Sequence, residues 1–416
     1  MKAVILAAGK SSRFKPLSDK RHKALTEVMG KPLIQHTIDA LRDTEVEEII
    51  VVQGPEREIE DSGVDADRFV VQEEPKGMGN ALQQAEKYLE NRFLVLTPYR
   101  SKASELYQPM IDKAEENDTE TIFVASETEN PEKYGILDIE NGKVSDIVEK
   151  PDLEEAPSNM KAVGMYMLSK DFFNYLNNTQ TKEYQYEEAL SNQMKDKKAS
   201  FVEAEEDPNS IKYPWDLFEV MKELLDNSER SISGEAEIAD SAEVKGKVIV
   251  EEGAKIFENA VVKGPAYIGE DAVVGNNALI RNYSCIERGT TVGANCEARN
   301  TSFQPESSMH SQFVGDSIIG RNTSIGAGTV IANRNFREDG ERPEISTDLI
   351  GKDYSKETGR NSLGCFIGEN VDIGVNSSIM PGVQIGSDSK IGPGTVVKEN
   401  VENDTTVYSS QEVEKK

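Results

Sequence analysis

From Ala236 the chain runs AEIADSAEVKGKVIVEEGAKIFENAVVKGPAYIGEDAVVGNNALIRNYSCIERGTTVGANC to Cys296. Every sixth residue from Ile238 is aliphatic, through Val244, Val250, Ile256, Val262, Ile268, Val274, Ile280 and Ile286 to Val292. The frame returns as Ile319, Ile325 and Ile331, and again as Ile367, Ile373, Ile379, Ile385, Ile391 and Val397. Gly and Asn crowd the positions between, in IGED, VGNN, VGAN, IGRN, IGAG, IGEN, IGVN and IGSD. An amphipathic helix repeats about every 3.6 residues and cannot hold a strict period of six. Short strands joined by tight turns can, three to a triangular coil, with the aliphatic residues stacked inside. The turns need φ > 0, which Gly and Asn supply at low cost.

This is the pattern of a hexapeptide parallel β-helix. Two stretches interrupt it, 299–316 (RNTSFQPESSMHSQFVGD) and 335–364 (NFREDGERPEISTDLIGKDYSKETGRNSLG). A solenoid takes insertions only where its coil is exposed, and such insertions commonly carry function. The first holds His310, one of only 3 histidines in the chain.

Upstream the pattern differs. KAVILAA (2–8), EEIIVVQG (47–54), Arg68–Gln72, FLVLT (93–97), ETIFVAS (120–126) and SNMKAVGMYMLS (158–169) read as strands. Thr37–Arg42, GNALQQAEKYL (79–89) and YPWDLFEVMKELLDN (213–227) read as helical. Strand–helix–strand alternation implies a doubly wound, mostly parallel α/β sheet. The expected organisation is an α/β domain over 1–226, a linker at 227–235, a β-helix over 236–408 and a polar tail at 409–416.

Composition narrows the function. The 416 residues suit two or three domains. A net charge of -28, spread along the chain, repels phosphate backbones and anionic lipid. No nucleic-acid or membrane-surface partner is expected, and the charge fits a saline, halophilic cytoplasm. Mean hydropathy is -0.55, and no run approaches a membrane span. The start MKAVILAAGK breaks at Gly9 and reads as a buried strand rather than a signal peptide. Three cysteines without CxxC spacing, Cys285, Cys296 and Cys365, fit a reducing cytoplasm. Within this acidic chain, Arg13, Lys15, Lys20, Arg21 and Lys23 form a local cationic cluster.

That cluster follows the first strand, in LAAGKSSRF (6–14). A turn of small residues there lets backbone N–H groups approach a nucleotide, and Arg13 can reach its phosphates. The spacing is neither GxGxxG nor a P-loop. The stretch LAAGKSSRFKPLSDKRHKALTEVMGKPLI (6–34), with Gln72, Gly77-Met78-Gly79-Asn80-Ala81, Tyr134-Gly135, Glu149-Lys150-Pro151 and Trp215-Asp216-Leu217, resembles the sugar-1-phosphate nucleotidylyltransferases. With the β-helix attached, nearly the whole chain is similar to the bifunctional N-acetylglucosamine-1-phosphate uridylyltransferase/glucosamine-1-phosphate acetyltransferase family, in its archaeal-like branch.

The resemblance implies a Rossmann-like nucleotidyltransferase domain followed by a left-handed parallel β-helix, commonly trimeric. It implies nucleotidyl transfer from UTP or dTTP to a sugar-1-phosphate, releasing pyrophosphate. Arg13 and Lys23 would hold phosphates. Leu6, Ala8, Gly9, Gln72 and Gly77 would bind the nucleotide. Gly135, Glu149 and Lys150 would bind the sugar phosphate, and Asp216 would ligate Mg²⁺. It also implies acetyl transfer from acetyl-CoA to a glucosamine-1-phosphate-like amine, around SMHSQFVGDS (308–317) and IGAGTVIAN (325–333). There His310 would be the general base, an imidazole being suited to take an amine's proton near neutral pH. Arg299 and Asn333 would bind the sugar phosphate. Ala327 and Cys365 would meet acetyl-CoA.

The chain also departs from the family. The strand FLVL (93–96) is followed by Thr97-Pro98-Tyr99-Arg100, where the family has a metal-binding Asp. His22 stands for Pro, Met78 for Thr and Phe313 for Tyr. Two further readings therefore stay open: an acetyltransferase with a degenerate nucleotidyl site, and a non-catalytic regulatory subunit of an active paralogue.

Overall fold

A computed structural model describes residues 1–410 apart from 118, 183, 206–208 and 338. Residues 411–416 of the expected tail lie outside the described residues. The chain forms two compact units, Met1–Lys10 with Pro32–Ser210, and Ser11–Lys31 with Ile211–Lys416. Composition changes near residue 226, but compactness divides the chain at 210, because the segments 11–31 and 211–227 pack on the coil. Among the described residues no helix is long and apolar enough to cross a membrane.

The first unit is a Rossmann-like nine-stranded sheet. Its strands are β1 (Lys2–Ala7), β2 (Glu48–Gln53), β3 (Arg68–Val71), β4 (Arg92–Leu96), β5 (Thr121–Glu127), β6 (Gly135–Glu140), β7 (Lys143–Glu149), β8 (Met160–Ser169) and β9 (Ala199–Glu203). Their order is β3-β2-β1-β4-β8-β5-β9-β7-β6. The first four in that order are parallel, and β8 runs antiparallel to both of its main neighbours. KAVILA and EIIVVQ are nearly continuous apolar runs because parallel strands are covered on both faces. Ala7 lies opposite Gln53, Gln53 opposite Val71, and Ile5 opposite Leu96. The carboxyl ends of these strands therefore share one edge of the sheet, the usual ligand edge of such folds. Helix α1 (Met78–Ala85) follows β3.

The second unit contains the expected left-handed parallel β-helix. One column stacks Ile238, Ile256, Val274, Val292, Met309, Ile325, Ile373, Ile391 and Val407. A second stacks Val250, Ile268, Ile286, Phe303, Ile319, Ile367 and Ile385. These side chains form one continuous core. The turn residues Asn259, Asn277, Asn295, Asn322, Asn370 and Asn376 all have φ between 51° and 59°, as the Gly/Asn pattern requires. The coil begins at Ser231–Ile232, which pairs with Ile249–Val250, so it reaches into the expected linker. Helix α2 (Leu217–Asn227) sets Phe218 against Phe366 and Asp226 against the Tyr283 hydroxyl.

Residues 299–316 correct the sequence reading. They are not an excursion. Val292 pairs with Met309 and Met309 with Ile325, so successive coils there take 17 and 16 residues instead of 18. Phe303, Met309 and Val314 keep their places in the core, and that is why the coil persists while the frame slips. The second break is real. Ile319 pairs with Ile367, a step of 48 residues, and the surplus forms a hairpin of Ser346–Asp348 with Ser355–Glu357.

Candidate active sites

In the second unit, the segment 11–31 makes a tight loop around Ser11, which has φ 52°. The Ser11 carbonyl accepts from the Phe14 N–H at 2.9 Å and the Ser18 hydroxyl at 2.8 Å. Phe14 is fully buried and anchors the loop, leaving Arg13 exposed. Arg13 hydrogen-bonds the Tyr213 side chain, whose hydroxyl is pushed up by burial. Lys23 donates its Nζ to the Ile211 carbonyl. Both predicted phosphate-binding cations thus face the stretch 211–216.

Asp216 belongs to that stretch, but it is already committed. Its Oδ2 accepts the N–H groups of Lys212 and Tyr213, each at 2.7 Å, and so caps the turn leading into α2. Burial raises its pKa, and the two backbone bonds and the nearby Lys23 charge do not offset that. Among the described residues, no three His, Cys, Asp or Glu side chains gather as a metal cluster. In Thr97-Pro98-Tyr99-Arg100, the stretch that replaces the family's metal carboxylate, Arg100 is buried and donates Nη1 to the Asn209 carbonyl at 2.5 Å. Mg²⁺ takes several hard oxygen ligands; Arg100 supplies none, and Asp216 with one oxygen already bonded does not by itself fit the ion.

In the first unit, Leu6, Ala8 and Gly9 lie at or just past the carboxyl end of β1. No heavy atom would come within 4 Å of a side chain at Gly9, which leaves open space there. Gln72, only 4% exposed, donates Nε2 to the Gly77 carbonyl at 3.1 Å and to Asn80 Oδ1 at 3.0 Å. It thereby ties β3 to the start of α1. Gly135 sits against Glu149 across the β6–β7 pair. Lys150 lies 3.2 Å from Glu149 and 3.3 Å from the Tyr184 hydroxyl. Burial works against its charge, yet those two partners outweigh burial and raise its pKa.

The coil brings the remaining residues into two groups. His310 is exposed at a turn, its N–H bonded to the Ile325 carbonyl at 3.1 Å. The Ser311 carbonyl accepts from Gly328 N at 3.2 Å, so the turns of His310 and Ala327 are stacked neighbours. The other group centres on Asp316, whose side chain is 8% exposed. Its Oδ2 accepts from Arg299, and from Asn333 Nδ2 at 2.7 Å, while Oδ1 accepts from Asn300 Nδ2 at 2.9 Å. The predicted Arg299 and Asn333 thus meet on a carboxylate the sequence reading missed. The signal was present: Gly315-Asp316 follows Arg281-Asn282 and Arg299-Asn300 in successive coils, an acid beneath two asparagines and one residue from the arginine column. Phe313 lies over Gly315, and the Asn333 amide lies beside it. Cys365 is a correction. It is fully buried in the coil core, with its thiol pushed up to about 12 by burial, and presents no surface to acetyl-CoA.

A fold of this kind, a Rossmann-like sheet in one unit and hexapeptide coils in the other, defines a two-part transferase. The nucleotidyl transferase family matches residues 2–215, and the bacterial transferase hexapeptide family (six repeats) matches 247–282 and 364–399. The bifunctional protein GlmU of Methanococcus maripaludis strain C5 is 34% identical over 99% of this chain and 98% of its own length. That of strain C7 is 36% identical over the same shares. The bifunctional sugar-1-phosphate nucleotidylyltransferase/acetyltransferase of Sulfurisphaera tokodaii is 33% identical over 96% of this chain and 98% of its own length. The chain belongs to this family of bifunctional sugar-1-phosphate nucleotidylyltransferase/acetyltransferases, and it is a transferase enzyme.

Proposed function

We propose that the coil transfers an acetyl group from acetyl-CoA to the amine of a glucosamine-1-phosphate-like sugar. The observation that carries this reading is the buried Asp316 holding Arg299 and Asn333, on the coils that also set His310 beside Ala327. Arg299 supplies fixed positive charge for a sugar phosphate, and Asn333 supplies an orienting amide. His310 takes the amine proton as nitrogen attacks the thioester carbonyl; the carbon–sulfur bond then breaks and coenzyme A leaves as the thiolate. A backbone N–H of the Ala327 turn supports the developing oxyanion. The experiment is thiol release from acetyl-CoA with glucosamine-1-phosphate as acceptor. His310→Ala is expected to slow turnover by roughly 10²–10⁴-fold with its circular dichroism unchanged; unchanged release rules the role out.

We propose that the nucleotidyl transferase half, matched over residues 2–215, binds a nucleoside triphosphate (UTP or dTTP) and a sugar-1-phosphate, with Arg13 and Lys23 neutralising phosphate charge. Gly9 and Gln72 serve the base, and Gly135, Glu149 and Lys150 the sugar. Buried Arg100 and committed Asp216 favour a second reading for this half, in which nucleotide binding persists with weak transfer. Pyrophosphate release from UTP or dTTP with several sugar-1-phosphates decides it; robust Mg²⁺-dependent turnover sinks the weak-transfer reading. The family resemblance supports a homotrimer, and the charge of -28 supports a saline cytoplasm as the setting.

A further inference from the structure

On one face of the coil the residue after the stacked apolar position is commonly glycine: Gly269, Gly320, Gly368 and Gly386. Packing there is close; a Cβ on Gly320 would come 2.1 Å from the Gly368 carbonyl oxygen. The first coils of this column carry Ser233 and Glu251, both partly exposed, and two consecutive later coils carry Glu287 and then Gln304, both buried. Neither side chain serves only the coil. Glu287 Oε1 accepts the Met29 N–H at 2.9 Å, and Oε2 accepts the Gly30 N–H at 2.8 Å. Gln304 Oε1 accepts the Glu27 N–H at 3.0 Å, and its Nε2 returns a bond to the Glu27 carbonyl at 2.8 Å.

The contacts continue in order down the same corner. Arg321 pairs with Glu27, Glu369 with Arg21 at 2.7 Å, and Asp388 with Lys20 at 2.6 Å. Five successive coils thus hold the segment from Gly30 back to Lys20. The turn at its top has two consecutive left-handed residues, Met29 (φ 54°) and Gly30 (φ 76°). A Cβ on Gly30 would lie 2.5 Å from the Tyr267 hydroxyl, so only glycine fits. Such a backbone persists only where its surroundings over-determine it. A carboxyl buried without partners is costly. Burial pushes Glu287 up to about 8 despite its two N–H donors, a strain that coil packing alone, which is content with glycine here, does not require.

We propose that this corner of the coil is the scaffold for the phosphate-handling segment, and that Glu287 and Gln304 are positioning residues for nucleoside-triphosphate binding through Arg13 and Lys23. The proposal rests on the reading that this segment binds a triphosphate. Glutamine at 287 keeps one acceptor but turns an N–H₂ toward the other backbone donor, whereas both oxygens of a carboxyl retain acceptor capacity, with or without its proton.

The test uses the full chain, with UTP as the probe, on wild type, Glu287→Gln and Gln304→Ala. Both variants are expected to raise the UTP Kd about tenfold or more, the loss of one or two buried hydrogen bonds. Where turnover is measurable, KM for UTP rises more than kcat falls. Amide exchange quickens across 11–31, while thiol release from acetyl-CoA stays at the wild-type rate. Wild-type UTP affinity in both variants, with amide exchange unchanged, overturns the proposal and leaves the nucleotidyl reading standing. Equal loss of UTP binding and acetyl transfer also overturns it, because the residues are then merely structural. A wild type that does not bind UTP removes the nucleotidyl reading, and this proposal with it.

Discussion

The two stretches that break the six-residue frame look alike in sequence and differ in structure. Residues 299–316 remain in the coil, because Phe303, Met309 and Val314 still fill the core. Residues 335–364 leave it, and their hairpin 346–357 is an addition rather than a repair. The difference teaches that core occupancy, not strict period, maintains a β-helix. It also locates the candidate acetyl site. Arg299, His310 and Asp316 lie where coils shorten to 17 and 16 residues, and Asn333 lies where the coil is about to be left. A shortened coil changes which side chains stack at a corner, and that juxtaposition is what puts Arg299 over Gly315-Asp316.

The comparison can be broken most sharply in the core. Phe303→Ala is expected to destabilise the coil by about 3–5 kcal/mol, as buried aromatic truncations do. Urea unfolding of the full chain measures it, and a cost below about 1 kcal/mol would mean that Phe303 does not hold the shortened coil together. Asp316→Asn tests the site that the shortening creates. It should raise KM for the amino sugar phosphate about tenfold with kcat changed less, since Arg299 loses its charged partner and its fixed position. A fall in kcat alone, with KM unmoved, would remove Asp316 from substrate orientation.

A pH-dependent effect concerns Glu287, which lies in the last coil before the frame slips. Its ordinary value is near 4.5, and burial raises it to about 8 against the bonds from Gly30 and Met29 and the Arg321 charge, with Glu27 pushing the same way as burial. Buried Tyr267 and Cys285 also face this corner. The folded protein therefore keeps a proton that the unfolded chain releases above pH 4.5. This contribution to stability is complete below 4.5 and is lost as pH rises through about 8. Denaturation midpoints of wild type should accordingly fall over that window relative to Glu287→Gln, whose side chain does not titrate. Parallel pH profiles would refute the assignment. The smallest effect belongs to the second break. Phe336 is 94% exposed, and Phe336→Ser should change stability by no more than about 0.5 kcal/mol. A larger loss in the same urea assay would show that the excursion supports the coil after all.

Much of the molecule was legible in one dimension. The stacked aliphatics predicted the coil because a period of six admits little else, and the Asn turns appear at the expected left-handed φ. The α/β strands followed from apolar runs closed by small residues. His310, Arg13 and Lys23 were named from motifs, and the structure puts His310 beside the Ala327 turn and both cations against 211–216. Cys365 was misjudged because the resemblance was followed over the repeat: it lies two residues before Ile367, a place that the six-residue pattern turns inward, as at Ala254, Ala260, Ala266, Ala272 and Ala278.

What the sequence by itself determined was periodicity: which residues turn inward, where turns fall, and that two kinds of fold are joined. Those are local rules of backbone geometry and burial. Only the tertiary structure decided which distant residues share a charge or a hydrogen bond. Asp316 gathers Arg299 and Asn300 from one neighbouring coil and Asn333 from another, and Glu287 meets a turn more than 250 residues earlier in the chain. Electrostatic and hydrogen-bond partners are chosen by proximity in space. The stacking of coils, rather than any spacing along the chain, sets that proximity.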